Sequence, residues 1–228
     1  MTNERDHLID AALQHVVFDG MSDKAVAAGA RDIGMSPQLA RVHLPRGGVD
    51  LAAAYHRRGD AALREWLAQG LLQGRFRDRI TDAVMHRIDL SNREMARAGA
   101  VVFALPQNAA LGARLVWETA DAIWEGLGDT SNDVNWYSKR ATLSTVYGAT
   151  VLYWLGDESP DLHDTRAFLG RRIEGVMRFE KIKEQLGALP GMGRLTALAT
   201  GWIRPPRRHP APGYARPVTT PTHGQADA

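Results

Sequence analysis

The chain has 228 residues, 44% hydrophobic and 24% charged, enough for a packed core in one large domain or two small ones. Cysteine is absent, which excludes a disulfide scaffold, a thiol nucleophile and any cysteine-ligated metal. The net charge of +2 is unevenly spread: residues 171–216 hold ten Lys/Arg against three Asp/Glu, which points to an anionic partner there, membrane surface or nucleic acid.

The N-terminus, MTNERDHLID, is polar and contains acids, unlike a signal peptide or an Arg-rich transit peptide. No apolar run reaches the roughly 18 residues of a spanning helix, so a cytoplasmic protein is expected. Helical periodicity dominates and no alternating strand stands out. Leu8, Ala11, Ala12, His15 and Val16 form a first amphipathic stripe, ended by Gly20 and restarted by Ser22-Asp23 as an N-cap. A short helix, AVAAGARDIG, follows. Ser36 then caps a third, QLARVHL, with Pro37 at its first position, where a missing N–H costs nothing. This is the outline of a helix-turn-helix. Its third helix offers Gln38, Arg41 and His43, and residues 1–60 hold seven Lys/Arg against eight Asp/Glu. Phosphate neutralisation supplies most non-specific DNA affinity, so DNA is not an expected partner.

Longer helices are predicted over residues 49–69 and 76–98, the second with Ile80, Val84, Ile88 and Met95 on its apolar side. Residues 100–105 read as a short apolar run stopped by Pro106. A helix pair follows over 109–127 and 134–155, then a last long helix over 161–186 capped by the GDESPD turn. From Pro205 the composition is that of a disordered tail. The domain reading is 1–60 for the helix-turn-helix unit, 61–186 for a helical body, 187–209 for an amphipathic helix with a basic flank, and 210–228 for the tail.

Glu118, Asp121 and Glu125 share a helical face, but the Glu-x-x-His pairs of a di-iron bundle are missing. A solvated or partner-facing acidic edge is expected there, not a metal site. The chain has no G-x-S-x-G elbow, no Walker A loop and no G-x-G-x-x-G after a strand. No catalytic residue, cofactor or metal is expected.

Residues 141–155 are apolar nearly all round, so other helices should surround them. The small Ser144, Gly148 and Ala149 let neighbours approach closely in a packed core, or leave a space for a hydrophobic ligand. Met85, Phe103, Leu105, Val116 and Ile123 are available from other helices to line that space. In GMGRLTALATGWIRPPRRH, Met192, Leu195, Leu198, Ala199, Trp202 and Ile203 recur at helical spacing, and Arg204, Arg207 and Arg208 follow. This is the composition of a helix lying on an anionic membrane; the other reading is a last helix packed on the body. The stretch SNDVNWYSKR sets Trp136 and Tyr137 among polar residues between two apolar runs. That suits an interface hot spot with a wet rim, or an internal corner with the polar ends satisfied.

The run DVNWYSKRATLSTVYGATVLYWLGDESPDLHDTRAFLGRRI resembles the signature segment of the coenzyme Q (ubiquinone) biosynthesis protein nine family. AALQHVVFDGMSDKAVAAGARDIGMSPQLA is similar to that family's opening helices, and the resemblance covers about residues 5–185. It implies an all-α, tetracycline-repressor-like bundle with a degenerate helix-turn-helix, a helical lipid-binding domain and a C-terminal amphipathic helix. It also implies a non-catalytic accessory protein that takes an isoprenoid quinone intermediate or phospholipid from the membrane. The partner would be a di-iron demethoxyubiquinone hydroxylase or an equivalent biosynthetic complex.

On this reading Met85, Ile88, Phe103, Leu105, Val116, Leu143, Tyr147, Val151 and Trp154 line the lipid site. Asp121, Ile123, Trp124, Trp136 and Tyr137 form the partner patch. Met192, Leu195, Leu198, Trp202, Ile203, Arg204, Arg207 and Arg208 meet an anionic membrane, the inner face of a bacterial one since no transit sequence stands out. A homodimer stays open. The rival is a repressor-like transcriptional regulator binding DNA and a small hydrophobic inducer, and a third reading is a membrane-peripheral scaffold without ligand. Trp136 is expected at the interface, so that Trp136→Ala leaves stability nearly unchanged; Tyr137 is undecided.

Overall fold

The computed structural model of the chain describes residues 4–131 and 134–187, with side chains as far as Arg178. Asn132 and Asp133 lie outside the described residues. So do the eight residues expected at the membrane, from Met192 to Arg208, and the tail from 210. The elements are α1 (Glu4–Gln14), α2 (Val16–Asp19), α3 (Asp23–Asp32), α4 (Pro37–His43), α5 (Gly48–Ala68), α6 (Phe76–Asp89), α7 (Arg93–Ala104), α8 (Pro106–Gly126), α9 (Val134–Trp154) and α10 (His163–Gly187). Among the described residues all regular structure is helical, as the periodicity predicts.

The helix-turn-helix outline is local chemistry. Ser22 Oγ accepts the Ala25 N–H and Ser36 Oγ the Leu39 N–H, both at 3.2 Å. Gly29 lets α3 lie against α1, because a Cβ there would stand 2.4 Å from the Ala12 nitrogen. Leu8, Ile9, Ala12, Ala25, Leu44 and Leu51 close this small core. α5 then runs unbroken through residues 60 and 61 and joins the two units by one helix.

The predicted helix over 76–98 is in fact two. It breaks at Leu90–Ser91–Asn92, and the apolar run at 100–105 is the end of the second piece, α7. The break has partners that periodicity does not reveal. Asn92 Oδ1 accepts the Met95 N–H at 3.1 Å as an N-cap, and the Asn92 N–H donates to the Tyr55 hydroxyl on α5 at 2.8 Å. Pro106 likewise opens α8 at its first position, where the predicted stop becomes a start. At the head of α10, Asp157 accepts the Ser159 N–H at 2.8 Å, the Thr165 N–H at 2.9 Å and the Thr165 hydroxyl. These bonds hold its carboxyl well below the usual range.

The helical body has α8 at its centre, packed on α5, α7 and α9, with α10 against α9 and α6. α9 is not surrounded as its composition suggests. Leu143, Val146, Tyr147, Thr150 and Trp154 are buried, but Leu152 is 68% exposed and Tyr153 lies outward, stacked on Phe168 at 4.5 Å. Of the described helices, α8 and α10 pack against α9.

Candidate functional site

Between α5, α6, α7, α8 and α9 lies a cavity of about 400 Å³, within the size range of small-molecule sites, about 300–1,000 Å³. Its apolar walls include Ile88, Phe103, Val116, Val151 and Trp154, with Tyr147 at the back. Space exists because the facing helices carry small residues: Ala96, Gly99 and Ala100 on α7, Gly112 and Ala113 on α8, Gly148 on α9. At Gly112 a Cβ would meet the Phe103 Cβ at 2.8 Å, so that glycine also seats the Phe103 ring. Ala104, Ala109, Ala113 and Leu152 line the cavity and are exposed, which marks its mouth.

Three residues expected on this wall are elsewhere. Met85 is enclosed in the body core; Leu105 follows Ala104 at the mouth and is 45% exposed. Leu143 faces a second groove of about 420 Å³ between α6, α8, α9 and α10, beside Phe76, Trp124, Val146 and Met177.

The deep end of the cavity backs onto a polar cluster, of which only Tyr147 was expected from sequence; His56, Arg87, Ser91 and Tyr147 line the cavity, and Asp60 and Thr119 of the same cluster do not. His56 and Asp60 sit one turn apart on α5. Arg87, near the end of α6, donates from Nε to Asp60 Oδ1 at 2.8 Å, from Nη1 to Ser91 Oγ at 2.7 Å and from Nη2 to the His56 carbonyl at 2.9 Å. Thr119 on α8 donates to Asp60 Oδ1 at 2.9 Å, and His56 Nε2 lies 2.9 Å from the same hydroxyl. Tyr147 on α9 approaches Thr119 with its phenol. Burial pushes the His56 pKa down against the opposing pull of Asp60, and burial pushes the Tyr147 phenol up. Both are therefore neutral near pH 7. The spacing of four between His56 and Asp60 was a legible signal; which helices they meet was not.

The aromatic corner is built differently. Arg140 is fully buried, donating to Asp121 at 2.5 Å and Asp129 at 2.9 Å, with its guanidinium 4.0 Å from the Trp136 ring centre. Trp136 meets Tyr137 edge-on at 4.8 Å and Trp117 at 6.0 Å. Burial would raise the Asp129 carboxyl, but hydrogen bonds from Lys139, Arg140 and Ser131 outweigh it and hold it well below the usual range.

Of the expected partner patch, Ile123 is fully enclosed, Trp124 is buried with its indole N–H on the Lys139 carbonyl at 3.1 Å, and Trp136 is 7% exposed. Asp121 and Tyr137 are half-buried. For Trp136 the internal-corner reading fits and the exposed hot spot does not, because Arg140 and the neighbouring rings cover its faces. The acidic edge is also engaged: Glu118 pairs with Arg57 and Arg114, and Asp121 with Arg140. Among the described residues no group of three or more His, Asp or Glu is placed to hold a metal ion.

The COQ9 family model matches residues 109–180, which spans α8, α9 and much of α10. The chain is 33% identical over 183 residues to the mitochondrial ubiquinone biosynthesis protein COQ9 of Xenopus tropicalis, covering 76% of this chain and 57% of that protein. It is 29% identical over 189 residues to the mitochondrial COQ9 of Homo sapiens, covering 78% of this chain and 59% of that protein. The chain thus spans less than two thirds of the length of these relatives. A TetR transcriptional regulator from Nitrosomonas europaea ATCC 19718 superposes with a TM-score of 0.56 at 21% identity, over 75% of this chain and 95% of that one. That likeness is one of fold.

Proposed function

The chain belongs to the COQ9 family, and we propose on that premise that it serves ubiquinone biosynthesis as a non-catalytic lipid-binding protein. The observation that carries this is the cavity: apolar walls, small residues that keep it open, and a mouth at Ala104, Ala109 and Leu152. An isoprenoid chain loses about 0.8 kcal/mol per methylene left in water. A protein with such a cavity lowers that cost while the lipid is away from the bilayer. The isoprenoid quinone intermediate, or a phospholipid in its place, would lie with its chain along Phe103, Val116 and Val151.

The same reading gives the segment from Met192 to Arg208 the task of holding the protein on an anionic membrane. None of the described helices is long and apolar enough to cross one. It also makes a hydroxylase of the biosynthetic complex the recipient of the lipid, docking around Asp121 and Tyr137. The corner gives it a rigid seat, since Trp136 and Arg140 lock the start of α9 onto α8.

The repressor-like rival finds little support in the N-terminal unit. Lys24, Arg46 and Arg58 are paired with Asp19, Asp50 and the Asp6/Asp10 pair, and Arg57 with Glu118. On α4 the outward face mixes Gln38 and Arg41 with exposed Leu39 and Val42. Phosphate contacts need available cations.

The test is native mass spectrometry of the full chain purified from cells, followed by lipid extraction. A bound isoprenoid or phospholipid that disappears in Val116→Trp, with the fold intact, is expected. Recovery of no lipid from the wild type would end the cavity reading, and tight, steeply salt-dependent duplex binding would favour the rival.

A further inference from the structure

The outward face of α7 changes character along its length. Met95, Ala98 and Val102 pack on the small N-terminal core, which leaves Glu94, Arg97, Val101, Ala104 and Leu105 exposed, at spacings of three and four along one face. The first two form an ion pair at 2.8 Å. The last three are apolar, with Val101 65% exposed. α8 starts in the same way. Pro106, Gln107, Ala109, Ala110 and Ala113 are exposed, and Arg114, paired with Glu118 at 3.0 Å, is its first charged residue.

Between Arg97 and Arg114 the chain therefore runs sixteen residues without a charged side chain, and eight of the sixteen are exposed. An ordinary surface, about a quarter charged, would place about four charges there. A charge-free run in a core is common, but one exposed at a helix corner is not. The corner also meets its polar groups from within. Asn108 donates its side-chain amide to the Val102 carbonyl at 3.0 Å and its N–H to the Leu105 carbonyl at 2.9 Å, and Pro106 has no N–H to satisfy. Surroundings without water require such internal bonds. Each arginine stands about 12 Å along its helix from the corner. That fits the interfacial zone of a bilayer, where apolar groups sink about 5–10 Å and long cationic side chains reach back to the headgroups.

We infer that the α7–α8 corner is a membrane-inserting tip, separate from the segment between Met192 and Arg208, and that it sets the mouth of the cavity on the bilayer. The inference rests on the cavity taking its lipid from a membrane. Ala104, Ala109 and Ala113 belong to the tip and to the mouth alike, so a lipid entering between them does not cross water. A bilayer suits this surface better than a protein partner. None of the exposed residues of the corner is aromatic, whereas protein interfaces are anchored by large aromatics and ringed by polar groups.

The chain has no cysteine, so Leu105→Cys carries a single environment-sensitive nitrobenzoxadiazole label on the full chain. Glu65→Cys is the control, exposed on α5 near Leu67, which lies against Gly126 about 30 Å along α8 from the corner. The probe is a vesicle of phosphatidylcholine with phosphatidylglycerol. On adding vesicles the label at 105 should brighten several-fold and be quenched by doxyl groups on the acyl chains, while the label at 65 stays as in water. Val101→Ser with Leu105→Ser, two exposed and uncharged changes, should weaken vesicle binding about ten-fold, a loss of about 1.4 kcal/mol, with the thermal midpoint unchanged.

A bound chain whose label at 105 stays as in water overturns the tip, as does a serine variant that binds vesicles like the wild type. A label at 105 that brightens with protein concentration before vesicles are added also overturns it, because another protein surface then covers the corner. Lipid recovery by native mass spectrometry separates the two levels. A chain that keeps its lipid while the corner stays in water loses the tip alone; a chain that binds neither vesicles nor lipid loses the lipid-site reading as well.

Discussion

Arg87 and Arg140 are both buried, 3% and 0% exposed, and both pair with aspartate, yet their surroundings differ. Arg140 is closed in: two carboxylates, the Trp136 carbonyl at 3.2 Å, and an indole face standing where Nη2 lacks a hydrogen bond. Arg87 is closed on one side by a single carboxylate and open to a cavity on the other. The neighbours decide which. Around Arg140, Trp117 and Trp124 on α8 and Trp136 and Tyr137 on its own helix fill the space; near Arg87 the neighbouring helices carry Gly99, Gly112 and Gly148, which do not. The same buried cation is enclosed in the first setting and borders a cavity in the second.

The comparison breaks most visibly if the closed arginine is removed. Arg140→Met takes the donor from Asp129 Oδ2, while Lys139 and Ser131 stay on Oδ1, and should cost about 3 kcal/mol, read by urea unfolding; a loss under about 1 kcal/mol would mean the corner is not the tie between α8 and α9. Trp136→Ala should cost about 3 kcal/mol, because the ring is buried against Arg140 and two other rings. That reverses the near-neutral outcome expected from sequence, and a shift in the thermal midpoint checks it.

Acid should act on the two regions in separate windows. The Asp129 carboxyl is depressed in the folded state, so its contribution is complete above its unfolded pKa near 4 and is lost as pH falls through the folded value. His56 is depressed below 6.5 by burial. Its neutral form is favoured in the fold, so stability is present above 6.5 and declines as pH drops below it. His86, lowered by burial beside Trp66, adds to the same limb. Each group contributes at most about 1.4 kcal/mol per pH unit. His56→Gln should flatten the upper limb and leave the lower one, while Asp129→Asn should do the opposite, both followed by denaturant midpoints across pH.

The smallest effect is a gain. At Gly148 a Cβ would meet Val116 Cγ1 at an ordinary 3.8 Å. Gly148→Ala should therefore stabilise the protein by about 0.5–1 kcal/mol, while narrowing the cavity and lowering the lipid recovered with the protein. A stabilised variant with unchanged lipid content would place the ligand elsewhere.

What the residues determined alone is what depends on near neighbours in the chain. The helical class, the Ser22 and Ser36 caps, Pro37 at a helix start and the family segment are all short-range, and each was legible. Ile88, Phe103, Val116, Tyr147, Val151 and Trp154 could also be expected at a ligand space, since apolar residues facing small ones mark a helix interface. Tertiary structure decided the rest. The break at Asn92 needs the Tyr55 hydroxyl from α5. The inward turn of Trp136 needs Arg140 held by Asp121 and Asp129. The polar cluster at the deep end of the cavity joins His56, Arg87, Thr119 and Tyr147 from four helices. A hydrogen bond between residues that distant leaves no period in the sequence, because it is the packing of the helices, not the composition of any one, that brings its partners together.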